Sequence, residues 1–107
     1  MHEWINLTNH LGKNFSNPKD IQLTDALHQL FTANDNEHPD AWIECGTEDG
    51  PLYSLSVYAG GYAIYSKFNN ADMDVELENK KINNVTAQVA FDLWKNLIDG
   101  NIKKIVL

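Results

Sequence analysis

The segment from Leu52 to Phe68 constrains the fold more than any other part of the chain. Its sequence, LYSLSVYAGGYAIYSKF, has two stretches rich in aromatic and β-branched residues on either side of Gly60-Gly61. Glycine readily adopts the positive φ angles that a two-residue hairpin turn requires. The segment therefore predicts a β-hairpin at the centre of a sheet.

A register that places Ala59 opposite Tyr62 divides the hairpin into two different faces. One face is almost entirely apolar or aromatic, and it comprises Tyr53, Leu55, Val57, Ala59, Tyr62, Ile64, Ser66 and Phe68. The other face carries serines, Lys67 and Ala63 together with Tyr58 and Tyr65. Because a slip of one residue would mix the two sets, this register predicts a core face and a polar face bearing the two tyrosines.

Alternation of apolar and polar residues predicts two further strands. In AWIECGT (41–47), Ala41, Ile43 and Cys45 alternate with Trp42 and Glu44, so the first three are expected to point inward. MDVELE (73–78) has Met73, Val75 and Leu77 on the inward side and acidic residues on the outward side. The final segment, IKKIVL (102–107), is predicted to be a short last strand.

Three segments have the apolar spacing of helices. Trp4, Leu7 and Leu11 predict an N-terminal helix that ends at Gly12. A second helix is expected from about residue 24 to residue 33, with an alternative start at Pro18. Residues 86–99 predict a C-terminal helix that Thr86 caps and Gly100 ends.

Together these elements predict an α+β fold in which residues 1–107 form a single domain. We expect two N-terminal helices and a mostly antiparallel sheet of four or five strands around the Gly-Gly hairpin. The C-terminal helix should pack on one face of the sheet, with Trp94 in the core.

The net charge of −7 indicates the kind of partner that the chain can bind. All eight basic residues are lysines, so the chain lacks arginine, the preferred bidentate ligand of phosphate groups. Residues 35–78 carry ten acids and only Lys67, which gives them a charge of −9. This distribution indicates an acidic surface, which suits a basic protein partner and argues against nucleic-acid binding. The alternative is that the charge only keeps the protein soluble.

No pattern in the sequence indicates catalysis or a cofactor. It lacks a glycine-rich phosphate loop, a GxSxG motif and an HExxH motif, and its four histidines are scattered. We therefore expect neither an enzyme nor a metal or cofactor site. A small hydrolase that uses Cys45 with His38, or the loop acids Asp35, Glu37 and Asp40, is an open alternative.

Features of the sequence also predict a location in the cytoplasm. The N-terminus lacks the pattern of a secretory signal, and no apolar stretch approaches the length of a membrane span. A single cysteine is typical of a reducing compartment. The chain is therefore expected to be cytoplasmic and to have no contact with a membrane.

Two groups of residues are candidate partner-binding sites. On a strand, alternate residues project from one face about 6.6–6.8 Å apart, so the acids of 72–78 would form a ladder that resembles a phosphate backbone. Its members are Asp72, Asp74, Glu76 and Glu78. The alternative is an edge strand that is protected by charge.

The second group is aromatic and comprises Trp42, Glu44, Tyr58 and Tyr65. Tryptophan and tyrosine beside carboxylates are typical of a protein interface. The alternative is a second core layer beneath the N-terminal helix.

The combination of AWIECGT, YSLSVYAGGYAIYSKF, ADMDVELE and LWKNLIDGNI resembles immunity proteins of bacterial contact-dependent inhibition and related polymorphic-toxin systems. The resemblance extends over roughly residues 38–102. It implies a small cytoplasmic protein that binds and neutralises a cognate toxin domain, which in many such systems is a basic nuclease. Contact residues vary with each toxin, so the resemblance assigns no functional residue. The main alternative is a cytoplasmic binding or assembly module without inhibitory activity.

Overall fold

The computed structural model describes residues 2–33, 39–70 and 72–106. These ranges contain six strands and three helices. The elements in chain order are β1 (Trp4–Thr8), β2 (Asn14–Ser16), α1 (Asp20–Thr32), β3 (Asp40–Gly46), β4 (Leu52–Tyr58), β5 (Tyr62–Phe68), β6 (Glu76–Asn83), α2 (Ala87–Ile98) and α3 (Lys103–Val106). None of the helices in these ranges has the length and hydropathy that crossing a bilayer requires.

The strands form one antiparallel sheet in the order β2-β1-β3-β4-β5-β6. From β3 onward, spatial order follows chain order, as expected when short connections join antiparallel neighbours. The two edges differ in length, since β2 has three residues and β6 has eight.

Helices α1 and α2 pack against each other and against one face of the sheet, which we call the helix-covered face. Leu7, Ile43, Leu55 and Tyr65 bring four neighbouring strands into its core, and all four are fully buried. Trp94 of α2 is also fully buried, and its indole Nε1 donates to the carbonyl oxygen of Leu55 at 3.0 Å. The C-terminal helix thus packs on one face of the sheet as predicted.

Local signals located α2 correctly. The Thr86 hydroxyl accepts a hydrogen bond from the amide of Val89, and Gly100 beyond the helix has a φ of +78°. This N-cap satisfies a backbone donor that would otherwise lack a partner, and a positive φ is readily adopted by glycine. Helix α1 confirms the second predicted helix but begins earlier, at Asp20.

Both chain ends differ from the prediction. Residues 4–8 form strand β1 instead of a helix, because they hydrogen-bond to β2 on one side and β3 on the other. Residues 103–106 form the short helix α3 instead of a strand, and Ile105 reaches the core from it; Leu107 lies outside the described residues. The described chain therefore has one helix before the central sheet instead of two, and six strands instead of four or five.

The hairpin between β4 and β5 forms where predicted, but its register differs by one residue. Tyr58 lies opposite Tyr62, Val57 opposite Ala63 and Leu55 opposite Tyr65. Residues 59–61 form a three-residue connection in which Gly61 has a φ of +91°. Such loops commonly place a glycine with positive φ at their last position. The shift moves Tyr65 into the core, and Ile64 and Ser66 to the opposite face.

Candidate protein-binding face

No described helix packs on the second face of the sheet, which we call the open face. Cross-strand pairing assigns side chains from all six strands to it, because directly opposed residues of an antiparallel pair share a face. Its larger apolar and aromatic side chains are half-buried, apart from the buried Leu52, because they shield one another. The half-buried ones are Trp4, Trp42, Tyr58, Tyr62, Ile64 and Phe68.

Two tyrosines and a lysine form a stack at one end of the open face. The rings of Tyr58 and Tyr62 are nearly parallel, at 7°, with their centroids 4.6 Å apart. Lys81 of β6 places its Nζ 4.6 Å from the centroid of Tyr62, within range of a cation–π interaction. These contacts restrict the motion of the rings, and rigid side chains lose less entropy on binding than mobile ones.

The centre of the open face is occupied by Trp42 and Glu44. The indole Nε1 of Trp42 donates to Oε1 of Glu44 at 2.8 Å, since residues two apart on a strand share a face. This bond fixes the orientation of the indole and leaves the negative charge of Glu44 on the open face. On the neighbouring strand, Trp4 lies against Gly46, where a Cβ would be 3.4 Å from its Cζ2 atom.

Asp40 adds a second carboxylate beside the tyrosine stack. It lies opposite Tyr58 in the sheet, and burial raises the pKa of its carboxyl group, although a hydrogen bond to its own backbone opposes the shift. Burial, the charge of Asp40 and Tyr62 also raise the pKa of the Tyr58 hydroxyl. The raised pKa of Asp40 indicates that its charged carboxylate is only partly solvated.

The carboxylates of the open face have no lysine partner among the described residues. The ion pairs between described side chains are Lys95 with Asp20 at 3.0 Å and Lys67 with Glu78 at 3.8 Å, and both lie away from this face. Glu44 and Asp40 therefore present charge that no described cation neutralises. A face with anchored aromatic side chains and uncompensated carboxylates is chemically suited to a basic protein surface.

The structure brings together three residues of the predicted aromatic group and separates the fourth. Trp42, Glu44 and Tyr58 share the open face, and no described helix covers them, in contrast to the alternative of a second core layer. Tyr65 was predicted to lie beside them, but it is fully buried on the helix-covered face. Its hydroxyl donates to Glu78 at 3.2 Å, and burial together with the charge of Glu78 raises its pKa.

The predicted acidic ladder does not form. Strand β6 begins at Glu76, so Asp72 and Asp74 lie in the preceding connection, where Met73 has a φ of +58°. Glu76 lies opposite Phe68 and Glu78 opposite Lys67, with an irregularity between the two pairs. Glu76 therefore lies on the open face and Glu78 on the helix-covered face. The inward half of the prediction is also wrong, because Met73, Val75 and Leu77 are exposed.

The sequence did not predict Asp40, Tyr62 or Trp4 as residues of this site, although all three lie on the open face. Asp40 precedes Trp42 and Glu44 by the two-residue period of the same strand, so extending the strand by one residue would have found it. Tyr62 was missed because the hairpin register was wrong by one, and Trp4 because its segment was assigned to a helix. Once the strand pairing is known, the same alternation of faces along each strand places all three residues on the open face.

The alternative catalytic site is not supported by the described part of the chain. Cys45 is fully buried, and burial raises the pKa of its thiol to about 12, so it lacks the accessible thiolate of a nucleophile. His38, Asp35 and Glu37 lie outside the described residues. Within the described ranges, no three His, Cys, Asp or Glu side chains are grouped as metal ligands.

No protein-family model, curated protein or solved structure matches this chain. The geometry of the open face is therefore the basis for a functional proposal.

Replacing Asp40 by asparagine is expected to raise the free energy of unfolding at pH 7 by up to about 1 kcal/mol, because solvent still screens the partly buried carboxylate. A raised pKa in the folded state means that ionised Asp40 disfavours folding. The gain should therefore shrink as pH falls through the folded pKa, and disappear below the unfolded value near 3.8. Urea unfolding at pH 7 measures the gain in stability, and the same experiment at pH 3.5 measures its loss.

The control for this prediction is Asp25→Asn on α1, where the side chain is exposed. It removes the same charge but should leave the unfolding energy nearly unchanged. Equal effects of the two substitutions would indicate that net charge, and not the burial of Asp40, is responsible.

Proposed function

We propose that this protein is an immunity protein that binds the basic surface of a cognate toxin domain through its open face. The observation that carries the proposal is the placement of Trp42, Tyr58 and Tyr62 around carboxylates that form no ion pair with a described lysine, on the face that no described helix covers. Aromatic side chains of this kind supply most of the binding energy in many protein interfaces.

Charge supports a basic partner. The open face carries three acids and one lysine among its described strand residues: Asp40, Glu44, Glu76 and Lys81. The neighbouring sequence adds to this, since residues 35–78 have a net charge of −9. A field of this sign accelerates encounter with a basic protein and repels nucleic acid.

The partially desolvated Asp40 also supports a binding role. Ionised Asp40 is disfavoured by its own surroundings, so its contribution to folding is unfavourable at neutral pH. A cationic group of a partner placed beside it would reverse that balance. A carboxylate that becomes favourable only in a complex is a common compromise between stability and function.

The resemblance to immunity proteins suggests which class of basic protein is the partner, namely a toxin domain. In this role the protein occupies the active or substrate-binding surface of a toxin domain in the cytoplasm, and the toxin is a basic nuclease. A negatively charged face with aromatic anchors is complementary to a surface that otherwise binds phosphate groups. Inhibition then follows from competition for that surface, and the protein needs no catalytic residue of its own.

Glu44→Gln is expected to weaken binding to the toxin domain by about 2 kcal/mol, roughly thirtyfold. The glutamine keeps the shape of the side chain and can still accept from Trp42, so the loss reports the charge. Calorimetry with the cognate toxin domain, to be sought in the genes adjacent to this one, measures the affinity. Growth of cells that express the same toxin measures protection, and both should fall together.

Asp25→Asn serves as the matched control, because it removes one charge from α1 on the other side of the sheet. It should bind and protect like the parent protein. If Glu44→Gln also binds and protects like the parent, the open face is not the interface. Binding without protection would favour an assembly module over an immunity protein.

A further inference from the structure

Strand β6 is a long edge strand with one free side. It pairs with β5 through Tyr62 to Phe68, and no described strand pairs with its other side. The opposite edge of the sheet is the three-residue β2, which offers far less backbone. An edge strand of eight residues presents unpaired N–H and C=O groups that can accept another strand.

Two exposed aliphatic side chains lie at the N-terminal end of this edge. Val75, just before β6, and Leu77, within it, are each 52% exposed. Exposed aliphatic residues beside a free strand edge are characteristic of surfaces that pair with another chain. The edge thus combines unpaired backbone groups with apolar side chains that pairing would bury.

The charges of β6 identify the partner strand. Its acids, Glu76 and Glu78, precede Asn79, and its lysines, Lys80 and Lys81, follow it. In an antiparallel pair of two β6 strands centred on Asn79, Glu78 of each copy lies opposite Lys80 of the other. Opposite charges placed directly across two strands stabilise the pair.

The neighbouring antiparallel arrangements bring like charges together. Centring the pair on Glu78 places the two Glu78 side chains opposite each other. Centring it on Lys80 places the two Lys80 side chains opposite each other. A parallel pair in register would also align identical charges. Because like charges directly opposite are destabilising, the charge order of β6 favours the arrangement centred on Asn79.

We infer that two copies of this chain associate through antiparallel pairing of their β6 strands about Asn79. The resulting sheet has twelve strands, and the twofold axis runs perpendicular to it. Such an axis keeps the two open faces on the same side of the continuous sheet. The dimer therefore presents two copies of the Trp42–Glu44 surface side by side, and its existence does not depend on the proposed function.

A charge-swap experiment tests the pairing directly. The single variants Glu78→Lys and Lys80→Glu each place like charges across the dimer axis, so each alone should be monomeric. An equimolar mixture restores both opposite-charge pairs and should associate. A single strand edge buries less area than a standard interface, so sedimentation equilibrium should cover protein concentrations up to about 1 mM.

Covalent trapping provides a second measurement that leaves the charges unchanged. The twofold axis places Asn79 opposite its own copy, at a spacing that a disulfide can bridge. Asn79→Cys should therefore form a dimer under mild oxidation. The control, Asn83→Cys, lies on the same exposed strand, but its sulfur would be roughly 27 Å from its counterpart. The native Cys45 is fully buried and does not compete.

Association of the parent, monomeric single variants, a restored mixture and selective trapping at position 79 would support the dimer. Circular dichroism must first establish that each variant folds, because Glu78 also contacts Tyr65 and Lys67. A parent that stays monomeric throughout, or equal trapping at positions 79 and 83, would overturn the inference. The inference would also be overturned if β6 paired with a strand of another protein but never with a second copy of itself.

Discussion

Replacing Trp94 by alanine is expected to lower the free energy of unfolding by about 3–5 kcal/mol. The indole is fully buried between α2 and the sheet, and its removal leaves a cavity that the surrounding side chains cannot fill. The substitution also removes the Nε1 hydrogen bond to Leu55, which joins the helix to β4. Domains of this size are stabilised by about 5–15 kcal/mol, so the loss is a large part of the total.

Two further variants of α2 make the measurement specific. Val89→Ala changes a partly exposed side chain on the same helix and should alter the unfolding energy by no more than about 0.5 kcal/mol. Trp94→Phe keeps an aromatic ring but loses the hydrogen bond, so its cost should fall between the other two. Urea unfolding monitored by circular dichroism compares all three. A loss below 1 kcal/mol for Trp94→Ala would mean that α2 does not anchor the core.

Helix α2 was predictable because its signals are local. The cap at Thr86, the stripe that includes Trp94 and the glycine at position 100 all lie within one short segment. None of them requires knowledge of another part of the chain. Strand β3 was predictable for a similar reason, since its alternation is visible within seven residues.

The N-terminal segment was not predictable in the same way. Trp4, Leu7 and Leu11 have helical spacing, but residues 4–8 are held as a strand by hydrogen bonds to β2 and β3 on both sides. Leu11 is largely exposed, so the spacing that suggested a helix was coincidental. Such tertiary pairing overrides local preference, and it depends on strands that are remote in sequence.

The candidate site was predictable to the extent that it lies on β3. Trp42 and Glu44 were located by alternation alone, and Tyr58 was placed correctly despite the wrong hairpin register. The acidic residues of 72–78 were misplaced because their alternation is interrupted where the connection ends and β6 begins. A repeating pattern of charges does not reveal where a strand starts.

The hairpin register has the largest consequence for both core and site, and stability measurements can test it. Tyr65→Ala is expected to cost about 3–5 kcal/mol, because Tyr65 is fully buried opposite Leu55 on the helix-covered face. Tyr58→Ala is expected to cost only about 1 kcal/mol, since Tyr58 is half-buried and loses mainly its stacking with Tyr62. Urea unfolding of both variants gives the comparison.

The two registers predict different results for this pair. If Ala59 lay opposite Tyr62, both tyrosines would share the polar face and their substitutions would cost similar, small amounts. With Tyr58 opposite Tyr62, only Tyr65 enters the core, so its variant should be less stable by about 2–4 kcal/mol. Tyr65→Phe keeps the buried ring and loses only the bond to Glu78, so it should remain close to the parent. Near-equal costs for the two alanine variants would place Tyr65 back on the open face, and the partner-binding surface would then include it.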